Sequence, residues 1–348
     1  LPYNWKALAA ERHKRYARFW LLHSRISFMK ASSKVPKLYV ALLLCTSVAV
    51  PLASGQASPP AEPATLPSFG HVVVVVGENL DYRTTYNKKH MPYLTSLANS
   101  YGLATNYYSS SHPSIGNYFN LTTGAILTDD DSQTPSTFPV SLNNIAYEVQ
   151  QAGKTWKDYV ENDPKTSGCG GYHSGAYYVR HDPLEYMTDV NTQKSNYVCF
   201  SQFATDLKNK DLPNLSWVVP NGYDDAHDST AKAFDNWLNA EIAPLLASSY
   251  FQTGGDGLLI VTFDENATNG SPDCETTTEG LGCGGQVETV LISPYSVARH
   301  KQTAGDPQAY NKGYDEGNIL RTIAQGLGLP TTNLGWADTA VAMTEFFQ

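Results

Sequence analysis

The chain has no apolar run long enough to cross a membrane. Its most hydrophobic stretch, in "KLYVALLLCTSVAVPLASG", extends roughly 15 residues, against the about 20 that a spanning helix needs. No internal repeat is present, so a solenoid is excluded. Basic residues are few: 24 Lys and Arg stand against 33 Asp and Glu in 348 residues. Nine of those 24 lie in residues 1–57, beside a single acid, Glu11. Beyond Ala57 the balance is 15 basic to 32 acidic residues, a formal charge of −17. Such a surface repels phosphate backbones and argues against a nucleic-acid-binding module. Cysteine is scarce too, with five in all. Cys45 lies in the apolar run; Cys169, Cys199, Cys274 and Cys283 remain, an even number suited to an oxidising compartment. Of the three pairings four cysteines allow, Cys169–Cys199 and Cys274–Cys283 are expected, each pair lying in Gly- and Ser-rich sequence.

What is present begins with a basic, aromatic and patternless segment, residues 1–28. From Met29 the pattern changes to Lys30, Lys34 and Lys37, the apolar run, then small residues at Ala53, Gly55 and Ala57. That is the layout of a secretory signal, with Met29 as the expected start and residues 1–28 as upstream sequence. A retained N-terminal anchor is the competing reading. The expected organisation is residues 1–57 as upstream segment and signal, 58–68 as a Pro-rich linker, and 69–348 as one domain. Location outside the cytoplasm, periplasmic or extracellular, follows from that reading.

"HVVVVVGEN" opens the domain, its five consecutive valines reading as a central parallel strand buried on both faces. "GLATNYYS", "LSWVVPN", "GLLIVTFDEN" and "VETVLISP" read as further strands. "MPYLTSLANSYG", "STAKAFDNWLNAEIAPLLASS" (capped by Ser229 or Asp228) and "GNILRTIAQGLGLP" read as helices. Alternation of this kind predicts an α/β domain, a mostly parallel central sheet with helices on both faces. Polar residues cluster after the strand ends, at Glu78–Asn79, Asn221–Asp228 and Asp264–Asn266. In open α/β sheets ligands bind beyond the carboxyl ends of the strands, so these clusters are expected at one edge.

Glu78, Asn79, Asp264 and Glu265 are oxygen donors without cysteine, a set for a hard divalent cation (Ca²⁺, Mg²⁺ or Mn²⁺ ahead of Zn²⁺). His227 stands between Asp225 and Asp228, where a carboxylate can hold one tautomer for general acid work. His112 carries a weaker signal, and Arg180 with His181 in "VRHDP" has the character of an anion-binding turn. In "SSSHPSIGNYFNLTTG" a serine beside a cation becomes a nucleophile, because the cation stabilises its alkoxide. Ser114 is that serine; Asn117 is a donor to a charged substrate oxygen, and the helix starting there favours an anion.

Together these segments resemble the phosphoesterase family of the alkaline-phosphatase-like superfamily, which includes secreted acid phosphatases and phospholipases C. The resemblance spans roughly residues 66–330 and rests on "LPSFGHVVVVVGENLDY", "KHMPYLTSLANSYG", "SHPSIGNYFNLTTG", "AGKTWKDY", "RHDP", "VVPNGYDDAHD", "LLIVTFDEN" and "NILRTIAQGLGLP", in order. It implies an alkaline-phosphatase-like fold, Ser114 as nucleophile and Asn117 at the phosphoryl group. It further implies Glu78, Asn79, Asp264 and Glu265 around the metal, and His227 with Asp228 near the leaving group; His181 joins the catalytic candidates. Some positions depart from the pattern: Glu316 replaces a frequent His, Gly116 a frequent Pro, and Asn221 stands where two-metal members often carry Asp, which favours one metal. The implied activity is phosphomonoester hydrolysis through a phosphoserine, on a small-molecule or lipid phosphoester. A phospholipase C-type phosphodiesterase is the alternative, and a non-catalytic surface binding protein the rival from another class.

Overall fold

Val72 to Val76 are each at most 2% exposed, so the valine run is a strand covered on both faces. At about 1.5–3 kcal/mol per fully buried side chain, it is a strong contributor to the core. A computed structural model describes residues 65–166, 169, 175–267 and 283–348. In chain order the elements are β1 (His71–Gly77), α1 (Tyr82–Thr85), α2 (Pro92–Ala98), β2 (Gly102–Ala104) and β3 (Tyr108–Ser109). There follow α3 (Ile115–Thr123), α4 (Ile145–Gln151), β4 (Trp156–Val160), β5 (Tyr197–Cys199) and α5 (Ser201–Asn209). Then come β6 (Leu215–Val219), α6 (Ala231–Trp237), α7 (Ala243–Leu246), β7 (Gly257–Phe263), β8 (Gly285–Gln286), β9 (Thr289–Ile292) and α8 (Glu316–Gly326).

The main sheet has the order β2-β9-β7-β1-β6-β4-β5. Strands β7, β1, β6, β4 and β5 are mutually parallel, and β9 runs antiparallel between β7 and β2. The sheet is therefore mostly parallel, as the alternation of strands and helices implies. Helices α2 and α6 pack together, and so do α3 and α8. Asp235 of α6 supplies the cap that Met91 cannot: its carboxylate accepts from the N–H groups of Tyr93 (3.0 Å) and Leu94 (2.8 Å).

Three local expectations are corrected. The long helix after His227 is capped by Thr230, whose Oγ1 accepts from Ala233 N at 3.3 Å, and not by Ser229 or Asp228. It is interrupted by a π-helical turn, Leu238–Ile242, ahead of α7. "GLATNYYS" divides into β2 in the main sheet and β3, which pairs with β8 in a separate ribbon. Cys169 and Cys199 are joined, with Cα atoms 4.9 Å apart. Cys274, and with it the Cys274–Cys283 pairing, lies outside the described residues, as do residues 1–64 with the signal and most of the linker. Among the described residues no helix is long and apolar enough to cross a membrane.

Candidate active site

Strand register brings the first two acids together. Gly77 pairs with Phe263 in adjacent parallel strands, so Glu78 and Asp264 leave β1 and β7 side by side. Asn79, at φ 54°, turns its N–H to Asp264 Oδ1 (3.0 Å) and its side-chain Nδ2 to Glu78 Oε2 (3.0 Å). Asn is among the few residues that take this left-handed conformation readily. From β6 the chain returns to the same edge, where Asp225 C=O accepts from Glu78 N at 2.8 Å.

Ser114 stands at the start of α3, its hydroxyl donating to Glu78 Oε2 at 3.2 Å. One helical turn on, Tyr118 donates to Glu78 Oε1 at 2.6 Å, and its ring stacks on His181 with 5.4 Å between centroids. The segment is closely packed at Gly116, where a Cβ would lie 2.7 Å from Ser111 Oγ. Gly124, at φ 75°, ends the helix, in the left-handed conformation glycine favours at that position.

His181 Nδ1 lies 3.0 Å from Asp225 Oδ2, which as a carboxylate accepts its proton. The Nε2 lone pair then faces Glu78 Oε1 at 3.3 Å and has no hydrogen-bond partner. Asp264 Oδ2, equally buried, has none either. Burial first, and then mutual repulsion, pushes Glu78 well above the ordinary carboxylate range. Burial likewise raises Asp225 and Asp264, and burial first, with the positive charge of Arg180, holds His181 well below the usual imidazole range. Among the described residues no Lys or Arg forms an ion pair with these acids. Glu78, His181 and Asp225 each offer a ligand atom within 4.8 Å of the others. A neutral imidazole and converging carboxylates with orphaned atoms are a donor set that fits a divalent cation.

The remaining candidates divide. Glu265, buried next to Asp264, pairs with His112, Oε2 to Nδ1 at 2.8 Å. The amide of Asn117 is used at both ends by the backbone of Ser111, accepting from N (2.9 Å) and donating to O (2.8 Å). His227 places Nδ1 2.8 Å from Asp228 Oδ1 and Nε2 2.9 Å from Arg180 Nη2. A guanidinium only donates, so Nε2 carries the lone pair and Nδ1 the proton. Glu316 is fully enclosed beneath the serine loop, accepting from Ser110 N (3.1 Å), Ser110 Oγ (2.5 Å) and Asn120 Nδ2 (3.2 Å). Asn221 is held by Glu161, which accepts from its N–H (3.0 Å) and its Nδ2 (2.9 Å). Tyr118 is a contact sequence reasoning missed; its signal was the four-residue spacing from Ser114 that sets both on one helix face.

The Phosphoesterase family's profile matches residues 82–330. The chain belongs to the Phosphoesterase family. Glu78 and Asn79 stand just ahead of the matched stretch. A phosphatidylinositol-3-phosphatase of Mycobacterium tuberculosis (strain ATCC 25618 / H37Rv) is 30% identical over 287 residues, 82% of this chain and 85% of that protein. An acid phosphatase of Aspergillus fumigatus is 30% identical over 210 residues, 58% of this chain and 46% of its own length. This phosphoesterase thus spans about half of that fungal relative. Its fold is shared with an alkaline phosphatase superfamily protein from Vibrio parahaemolyticus, at TM-score 0.50 and 13% identity over 79% of this chain and 71% of the other. The lipoteichoic acid synthase LtaP of Listeria monocytogenes gives TM-score 0.50 and 12% identity over 78% and 74%.

Proposed function

We propose that this phosphoesterase is an exported, metal-dependent phosphomonoesterase that works through a phosphoserine at Ser114. Phosphoric ester hydrolysis follows from its family and its acid phosphatase relatives. The observation that carries the mechanism is the Ser114 hydroxyl donating at 3.2 Å to Glu78, inside a buried carboxylate group without a Lys or Arg ion pair among the described residues. Glu78, Asp264 and His181 Nε2 would hold the cation, with Asp225 orienting the imidazole as a carboxylate behind a metal-bound histidine does. The cation supplies charge stabilisation for the serine alkoxide and the phosphoryl oxygens. With an imidazole among the donors, manganese and zinc suit the site as well as magnesium, which revises the preference for calcium, magnesium or manganese.

Ser114 gives its hydroxyl proton to Glu78, to which it already donates, and attacks phosphorus in line as the P–O bond to the leaving group breaks; water then cleaves the phosphoserine, restoring the serine hydroxyl and releasing phosphate. His227, aligned by Asp228, is the proton carrier for the leaving oxygen. Protonation of its Nε2 requires Arg180 to turn away, and the phosphoryl oxygens are the natural destination for that guanidinium. Asn117 holds the serine loop through the backbone of Ser111. Export, with a signal ending near Ala57, fits the disulfide between Cys169 and Cys199.

The test is phosphate release from p-nitrophenyl phosphate and from bis-p-nitrophenyl phosphate, with and without EDTA. Monoester cleavage lost in EDTA is the expected outcome. Preference for the diester would replace this reading with a phospholipase C-type phosphodiesterase, and metal-independent turnover would remove the cation from the mechanism.

A further inference from the structure

Asp131 lies outside every residue cluster described so far, yet it joins two of them. Its Oδ1 accepts from the N–H of Ile115, the residue after Ser114, at 3.0 Å. Its Oδ2 lies 3.5 Å from Arg180 Nε, a buried donor that has no hydrogen bond. Arg180 in turn approaches His227 Nε2 at 2.9 Å and lies over the Tyr178 ring, 4.2 Å from its centroid. The side chains of Arg180 and Asp131 are 20% and 31% exposed, so this corner opens to solvent where the acid group around Glu78 does not.

We infer that Asp131 is a positioning residue of this phosphoesterase: its carboxylate ties the Arg180 guanidinium to the start of the nucleophile helix, keeping that cation beside Ser114 for the phosphoryl group. A guanidinium has five donors in one plane and matches phosphoryl oxygens in pairs. The ring of Tyr178 and the lone pair of His227 fix the plane of the guanidinium, but both are on the His227 side. Asp131 is the contact that relates it to α3 and hence to the serine. The arginine is thereby held at the start of α3, beside Ser114, where a guanidinium suits a tetrahedral anion.

The inference rests on the phosphomonoesterase reading, and the experiment separates the two. Asp131→Asn keeps an oxygen for Ile115 N–H and removes the charge facing Arg180; Arg180→Gln removes the cation. Both variants and their combination are assayed for kcat and KM with p-nitrophenyl phosphate, for inhibition by inorganic phosphate, and for melting temperature. Calorimetric titration with inorganic phosphate is run alongside. Asp131→Asn should raise KM and the phosphate inhibition constant together by about tenfold, the size of one charge-assisted hydrogen bond, with kcat and melting temperature little changed. The double variant should be no worse than Arg180→Gln alone, because Asp131 acts through the arginine.

Multiplying effects, a change in melting temperature alone, or an unmoved KM in an active enzyme would overturn the inference and leave the functional reading intact. An inert wild type would overturn the functional reading. The inference would then stand or fall on whether Asp131→Asn weakens phosphate binding in the titration.

Discussion

Replacing Glu316 by glutamine should stabilise this phosphoesterase more strongly as the pH rises. The carboxyl is enclosed beneath the serine loop, and burial, followed by the charge of Asp315, raises it from 4.5 to about 8. Between those values the folded chain keeps a proton that the unfolded chain has lost. Stability contributed at this position is therefore full below the unfolded value and falls as the pH rises towards the folded one. At about 1.4 kcal/mol per pKa unit, the loss is about 1 kcal/mol near pH 5 and about 3 kcal/mol near pH 7. Glutamine does not titrate and escapes both. It also changes the hydrogen bonds to Ser110 and Asn120, but that offset is the same at every pH and cancels in the difference. The assay is urea unfolding of wild type and Glu316→Gln at the two pH values. Their stability gap should move by about 2 kcal/mol in favour of the variant, equivalent to several degrees of melting temperature. Parallel pH profiles, or a gap moving towards the wild type, would refute the reasoning.

Ser114→Ala should abolish turnover, with a melting temperature within a few degrees of wild type, because one hydroxyl bonded to Glu78 is lost; residual phosphate release would refute the nucleophile. A divalent cation should raise the melting temperature, by about 2.7 kcal/mol of stability at a hundredfold excess over its dissociation constant. The rise should be larger near neutral pH than in acid, since binding must displace protons from Glu78, Asp225 and Asp264; thermal melts with EDTA or metal at both pH values decide it. Tyr118→Phe should weaken metal binding by about tenfold, the cost of losing a hydrogen bond to a ligand, while the ring stays against His181; calorimetric titration with Mn²⁺ would show it. Asp235→Ala should cost about 1–2 kcal/mol through the uncapped start of α2, read as a lower urea midpoint.

How much of this was legible in the sequence depended on where each residue sits. The valine run and "GLLIVTF" announced β1 and β7 by composition, and the acids after them could be read as a site because nothing in a buried strand needs a charge at its end. β4 was not legible as a strand: Lys157 and Asp158 interrupt its apolar pattern, although Asp158 is fully buried. Asn117 was read towards the substrate from its closeness to Ser114. Three residues along a helix can also face the preceding loop, and here the amide accepts from one backbone group of Ser111 and donates to the other. Glu265 was read as a ligand from its adjacency to Asp264; its ion pair with His112 is a contact that no sequence pattern could disclose.

The ligands that sequence order hides are those that strand order reveals. β1, first in the chain, is enclosed in the sheet between β7 and β6, with β4 beyond β6. Glu78 therefore meets Asp264 on one side and Asp225 on the other, although these two belong to segments far apart in the chain. His181 comes from the connection between β4 and β5 and closes the group from Asp225's side, through its bond to that carboxylate. No periodicity in "VRHDP" or "YDDAHD" could disclose that His181 and Asp225 are partners, because the pairing is a property of the crossover. The same topology explains why the acids are raised rather than lowered: the ends of β1, β6 and β7 deliver carboxylates to a dry edge, and among the described residues no Lys or Arg pairs with Glu78, Asp225 or Asp264. A fold that gathers like charges in this way holds together either by keeping protons or by taking up a cation, and Ser114 donates into the middle of that choice.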